Sequence, residues 1–218
     1  MAVLDPIKPT ILAVRIIPNI DRGLAAKIGL ADHHRAVGLI TCDIDDALYV
    51  SLDEATKMAA VDVVYAKSFY AGSAHASGPL SGEIIGMLAG PSTAEVRAGV
   101  DACVAYAEAE AWFYSANADG SLAFFPHLIS ATGSYLSDAA GVDVGAPLAY
   151  LIAPPLEATF ALDAAMKAAD VEMREWFAPP SETNFSGALL TGAQSACKAA
   201  CQAFQDAVVD VASAPRIY

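Results

Sequence analysis

The chain has 218 residues, with 12 Lys and Arg against 25 Asp and Glu, a formal net charge of −13. That balance excludes a nucleic-acid binder, which needs clustered cations to neutralise phosphates, and it argues equally against docking on an anionic membrane surface. A hydrophobic share of 56%, much of it alanine at roughly a fifth of the chain, excludes disorder and supplies enough core for one or two domains without disulfides.

In chain order, Asp5, Pro6, Lys8 and Pro9 interrupt any secretory h-region, and no later run reaches the ~20 apolar residues of a membrane span. The expectation is a compact, acidic, cytoplasmic protein. Residues 10–17 read as a strand, and residues 37–41 as a short buried one. Asp43, Asp45 and Asp46 follow. Residues 53–60 read as a helix capped by Asp53, and residues 61–65 as a strand. A loop rich in Gly, Ser and Ala covers residues 70–82, and residues 83–89 form another apolar strand. Residues 92–106 read as an alanine-rich amphipathic helix.

Beyond a boundary near residues 113–117 the pattern returns. Residues 122–129, 149–152 and 171–177 read as strands, residues 163–169 as a helix capped by Asp163, and residues 178–187 as a loop stiffened by Pro179 and Pro180. The last helix covers residues 194–211, with Ala196, Ala200, Phe204 and Val208 stepping along one face. An offset of 110 residues superposes Leu52 on Leu162, Asp53 on Asp163, Ala55 on Ala165, Lys57 on Lys167, Ala59 on Ala169 and Val61 on Val171. Self-similarity of that kind marks two copies of one unit.

Catalytic machinery is missing from this pattern. There is no phosphate-cradling glycine loop, no nucleophile elbow and no His-Glu-x-x-His. His33 and His34 are adjacent and read as a solvated loop pair that does not easily converge on one metal; His75 and His127 have no partners at ligand spacing. Cys42, Cys103, Cys197 and Cys201 lack metal-ribbon spacing and read as reduced and buried, although Cys197 and Cys201 lie one helical turn apart. The acidic group Asp43, Asp45 and Asp46 reads either as a solvated turn or as a local negative potential that attracts an ammonium ion.

Several strings point to a family: Leu39-Ile40-Thr41-Cys42-Asp43, Asp53-Glu54-Ala55-Thr56-Lys57, Ser68-Phe69-Tyr70-Ala71-Gly72, Thr132-Gly133-Ser134-Tyr135-Leu136-Ser137, Ala153-Pro154-Pro155-Leu156-Glu157-Ala158-Thr159 and Pro179-Pro180-Ser181-Glu182-Thr183-Asn184-Phe185. From about residue 10 onward the chain resembles the L-type shell proteins of ethanolamine-utilization bacterial microcompartments. The resemblance implies an α/β (α+β) fold of two tandem, circularly permuted bacterial microcompartment (BMC) domains, residues 1–113 and 114–218, each a ferredoxin-like sheet-plus-helix unit. It implies a homotrimeric, pseudohexameric tile that packs with hexameric BMC tiles in a shell lying in the cytoplasm, with no catalytic residues, cofactor or metal.

The same resemblance implies a central pore gated by Gly72, Ser73, Ala74, His75, Ala76, Ser77 and Gly78 together with Pro179, Pro180, Ser181 and Glu182. It also implies a small pore with an acidic lining of Asp46, Glu83 and Glu157. Ethanolamine would bind there through Asp45, Asp46, Glu83, Phe113, Thr183, Asn184 and Phe185, favouring the closed state. Carboxylates suit its ammonium, a hydroxyl such as that of Thr183 suits its alcohol, and aromatic faces supply cation–π contact. The chain departs from the family's pattern at Ala131, where Arg is expected, and in its bulky residues 110–114. A non-shell binding or sensing protein for amino alcohols, using the same acidic pocket, is the alternative.

Overall fold

The computed structural model describes residues 1–69, 83–179 and 185–216. The elements in order are β1 (Pro6–Ile7), β2 (Ile11–Ile17), α1 (Arg22–Ile28), β3 (Ala36–Cys42), α2 (Asp45–Met58), β4 (Asp62–Phe69), β5 (Glu83–Gly90) and α3 (Thr93–Ala109). They continue as β6 (Phe113–Ser115), β7 (Ala123–Ile129), α4 (Ser134–Ala140), β8 (Leu148–Ala153), α5 (Pro155–Ala168), β9 (Val171–Phe177), β10 (Ser186–Gly192) and α6 (Gln194–Ser213). Among the described residues no helix is long and apolar enough to cross a membrane.

Two compact units divide the chain. One comprises residues 8–111 with residues 133–136, and the other residues 1–7, 112–132 and 137–218. In the first unit an antiparallel sheet runs in the order β2-β3-β5-β4. Helices α2 and α3 cover one face, burying Ile40, Leu48, Leu52, Ile84, Leu88, Val96, Val100 and Cys103. The second unit contains β7-β8-β10-β9, the same order again, extended past β7 by β6 and β1. Its core packs Phe124, Leu151 and Leu190 against an alanine-lined layer of α5 and α6: Ala158, Ala161, Ala165, Ala200 and Phe204. Small side chains at those positions let the helices approach each other and the sheet closely, which accounts for much of the alanine excess.

The repeat therefore extends to topology, and the offset of 110 that aligns Lys57 with Lys167 also aligns both ends of α2 with those of α5. The expected helix starts are corrected. Neither Asp53 nor Asp163 is a cap; α2 follows Ile44 and α5 follows Pro154, both without a side-chain cap bond. The buried stripe Ala47, Leu48, Ser51, Leu52 and Ala55 extends the helical period eight residues toward the N-terminus, as far as Asp45. Asp163 instead faces solvent and pairs with Lys167 at 2.6 Å. Two short helices escaped the sequence reading, α1 and α4; α1 is capped by Asp21, whose Oδ1 accepts from the Gly23 and Leu24 N–H groups.

Asp53 has a different task in mid-helix. Its carboxylate, 1% exposed, accepts from the backbone N–H of Gly133 at 2.7 Å and of Leu136 at 2.8 Å. Thr56 Oγ1 accepts from the Ser134 N–H at 3.0 Å. These bonds fasten residues 133–136 into the first unit. Burial raises the Asp53 pKa against the opposing pull of the two N–H donors.

Candidate functional site

The first unit brings three acidic side chains to one end of its sheet. Strand β3 ends at Cys42, in register with Ile84 of β5, and α2 starts three residues later with Asp45 and Asp46. Glu83 opens β5 opposite the last residue of β4, Phe69. Asp45, Asp46 and Glu83 are 2%, 6% and 7% exposed, far below what carboxylates ordinarily show. Asp45 and Asp46 occupy the first turn of α2, where the positive end of the helix dipole stabilises negative charge. Even so, three carboxylates withdrawn from water at one sheet end favour a cation.

Asp45 is held on both oxygens. Its Oδ1 accepts from the Asp46 N–H at 2.9 Å, and its Oδ2 accepts from the Ser68 hydroxyl at 2.7 Å. Ser68 Oγ lies 3.0 Å from the Tyr49 hydroxyl. Burial pushes the Tyr49 phenol up to about 12, with the charges of Asp45 and Asp46 adding to the effect, so it remains a proton donor. Neither Tyr49 nor Ser68 was singled out as a site residue from the sequence. A signal existed: Tyr49 stands four residues after Asp45, on the same helical face. Asp43 is committed elsewhere, its Oδ1 accepting from the Thr10 N–H at 2.6 Å and so anchoring the chain just before β2.

The remaining expected residues fall in the second unit or outside the description. Phe113 is buried, stacked on Phe125 at 4.8 Å, and meets Phe185 edge-on at 6.1 Å. Glu157 sits in the first turn of α5, partly buried. Pro179 is exposed just past β9. Thr183, Asn184, Pro180, Ser181 and Glu182 lie outside the described residues, as do Gly72, Ser73, Ala74, His75, Ala76, Ser77 and Gly78.

The histidine pair behaves differently from expectation. A turn closed by the His34 N–H on the Ala31 carbonyl swings both rings toward Asp62, whose Oδ2 lies 2.8 Å from His34 Nε2 and 3.7 Å from His33 Nε2. The ligating atoms of the three residues lie within 4.8 Å of one another. The Ala31 N–H, however, donates to His34 Nδ1, which places the imidazole proton on Nε2, where it donates to Asp62. The cluster is thus a hydrogen-bonded clamp whose inner nitrogen lacks the acceptor that a metal-bound histidine ordinarily finds. All four cysteines are free and buried, and burial pushes the Cys42 and Cys201 thiols up to about 12, as packing residues require.

Comparison with known proteins adds a family. Residues 36–117 match the model of the BMC domain. The chain is 59% identical over 211 residues to the bacterial microcompartment shell protein EutL of Clostridium perfringens, covering 97% of each. It is 55% identical over 215 residues to the EutL of Salmonella typhimurium, covering 99% of this chain and 98% of that protein. The crystal structure of the ethanolamine utilization protein EutL from Leptotrichia buccalis superposes with a TM-score of 0.94 at 57% identity, covering 100% of both chains.

Proposed function

The chain belongs to the EutL family of bacterial microcompartment shell proteins, structural components rather than enzymes, and from that premise we propose that it tiles the shell of an ethanolamine-utilization microcompartment and binds ethanolamine in a small acidic pore. The observation that carries the ligand reading is the burial of three carboxylates, Asp45, Asp46 and Glu83, at the same end of the first unit's sheet. Ethanolamine at neutral pH is a small ammonium alcohol, and buried carboxylates are its natural acceptors. Glu157, Phe113, Thr183, Asn184 and Phe185 complete the proposed lining.

In this reading residues 1–113 and 114–218 are two permuted BMC domains, and three chains then present six like modules around a three-fold axis. Repetition of one strand order in both units supports that arithmetic. Exposed Leu156, Phe160, Met166 and Trp176 on the second unit supply apolar surface for assembly with further copies and with hexameric tiles. Residues 72–78 and 179–182 gate the central pore, and ethanolamine holds it closed by binding that state better, the only way a ligand biases an equilibrium.

Isothermal titration of the full chain with ethanolamine tests the site. Asp45→Ala and Glu83→Ala are expected to weaken binding by at least about tenfold each, the loss of one charge-assisted bond. Affinity unchanged in both variants would remove the acidic pore as the site. For the shell role, electron microscopy of the protein mixed with hexameric BMC tiles should show continuous layers; trimers that never enter a layer would count against it.

A further inference from the structure

We propose that Tyr49 and Ser68 are positioning residues of the acidic site: a one-way hydrogen-bond chain from the Tyr49 phenol through Ser68 holds the Asp45 carboxylate in place for the ammonium of a bound amine. The inference rests on the amine-binding reading above and adds residues to which no ligand role has been assigned. As a carboxylate, Asp45 only accepts, so the single proton of Ser68 Oγ goes to Asp45 Oδ2 at 2.7 Å. Ser68 is then left as the acceptor in its 3.0 Å contact with Tyr49, and the phenol is the donor. The direction of both bonds follows from Asp45 being ionised.

The far end of this chain is itself anchored. The Tyr49 ring stacks on Tyr135 with centroids 6.4 Å apart and planes 25° apart. Tyr135 lies in the segment that Asp53 and Thr56 fasten through the N–H groups of Gly133, Ser134 and Leu136. Asp45, Tyr49 and Asp53 recur every four residues along α2, so one helical face carries the ligand carboxylate, its orienting phenol and the anchor beneath them. A carboxylate oriented in advance binds a cation without first ordering its own side chain.

Because the Ser68 proton is committed to Asp45, Ser68 cannot also donate to the ligand's hydroxyl. Its effect must pass through the carboxylate and be the same for an amine with or without an alcohol. Titration of the full chain with ethanolamine and with ethylamine reads this out. Ser68→Ala is expected to weaken both by roughly tenfold, and Tyr49→Phe by about two- to fivefold, since it acts one bond further away. Ser68→Thr, which keeps the hydroxyl, should stay near the unsubstituted protein and separates loss of the bond from loss of fold. Wild-type affinity in Ser68→Ala would overturn the inference, and so would a loss confined to ethanolamine, which would place Ser68 on the ligand itself. An unsubstituted chain that binds neither amine would overturn the amine-binding reading and this inference with it; the variant pattern tests the positioning role alone.

Discussion

Replacing Asp53 with alanine is expected to lower stability by about 3–5 kcal/mol, because two buried backbone N–H groups lose a charged acceptor and gain no water. For a chain of this size that corresponds to a fall in melting temperature of roughly 10 °C, measurable by differential scanning calorimetry. Asp53→Asn keeps one acceptor oxygen but turns an NH2 toward the other donor, so a smaller loss is expected. The pH dependence has a defined sign. Burial raises the Asp53 pKa in the folded state, so folding favours the protonated form. The stabilisation associated with that proton is full below the ordinary carboxylate range and is lost as pH rises through the raised folded value. The stability difference between wild type and Asp53→Asn should therefore shrink as pH increases from that range. A difference that grows with pH would show that the two N–H donors, rather than burial, set the balance. Gly133→Ala should reproduce much of the alanine phenotype, since its Cβ would stand 2.5 Å from the Asp53 carbonyl oxygen, a backbone atom that no rotamer change can move.

Asp53 also marks the limit of what the sequence discloses. Its neighbours at helical spacing announce a helix, and its match with Asp163 announces a repeat, yet the two positions do different work. Asp163 remains a solvated partner of Lys167, whereas Asp53 is buried against a segment 80 residues away. Nothing local to either residue encodes that difference. The succession of strands and alanine-rich helices was legible because both copies keep the same periodicity, so each reading corroborates the other; the order of strands within each sheet was not. The true start of α2 was not, because Asp45 and Asp46 resemble turn residues until the buried stripe beyond them is seen. The placement of Asp45, Asp46 and Glu83 at the same sheet end needs the register that sets Glu83 opposite Phe69, a pairing no single segment specifies. Resemblance to known shell proteins supplied it. The histidine pair fails in the opposite direction. Adjacent side chains diverge in a helix or strand but converge across the turn that Ala31 closes.

A sheet tolerates no crowding where a glycine lies against a neighbouring strand, and the second unit offers the sharpest test of that. Gly187 lies in β10, opposite Ile152 of β8 and Phe177 of β9. A Cβ at this position would collide with the Leu151 carbonyl oxygen and stand 2.6 Å from Ile152 Cδ1. The isoleucine can rotate away; the carbonyl belongs to the neighbouring strand and can yield only if the β8–β10 ladder opens. Gly187→Ala is therefore expected to cost at least about 3 kcal/mol, the upper end for overpacking, where a glycine in an unconstrained strand would gain from the same change. Chemical denaturation should show the loss as a lower midpoint. The location adds a local consequence. Ser186 begins this strand and Phe185 precedes it; Phe185 edges against Phe113, and the Ser186 hydroxyl donates to the Phe177 carbonyl at 2.9 Å. Opening the ladder at Gly187 should loosen those contacts first, so near-UV circular dichroism of the aromatic cluster is expected to change before global unfolding. Gly187→Ala with wild-type stability would mean that β8 and β10 are further apart at this position than the structure has them.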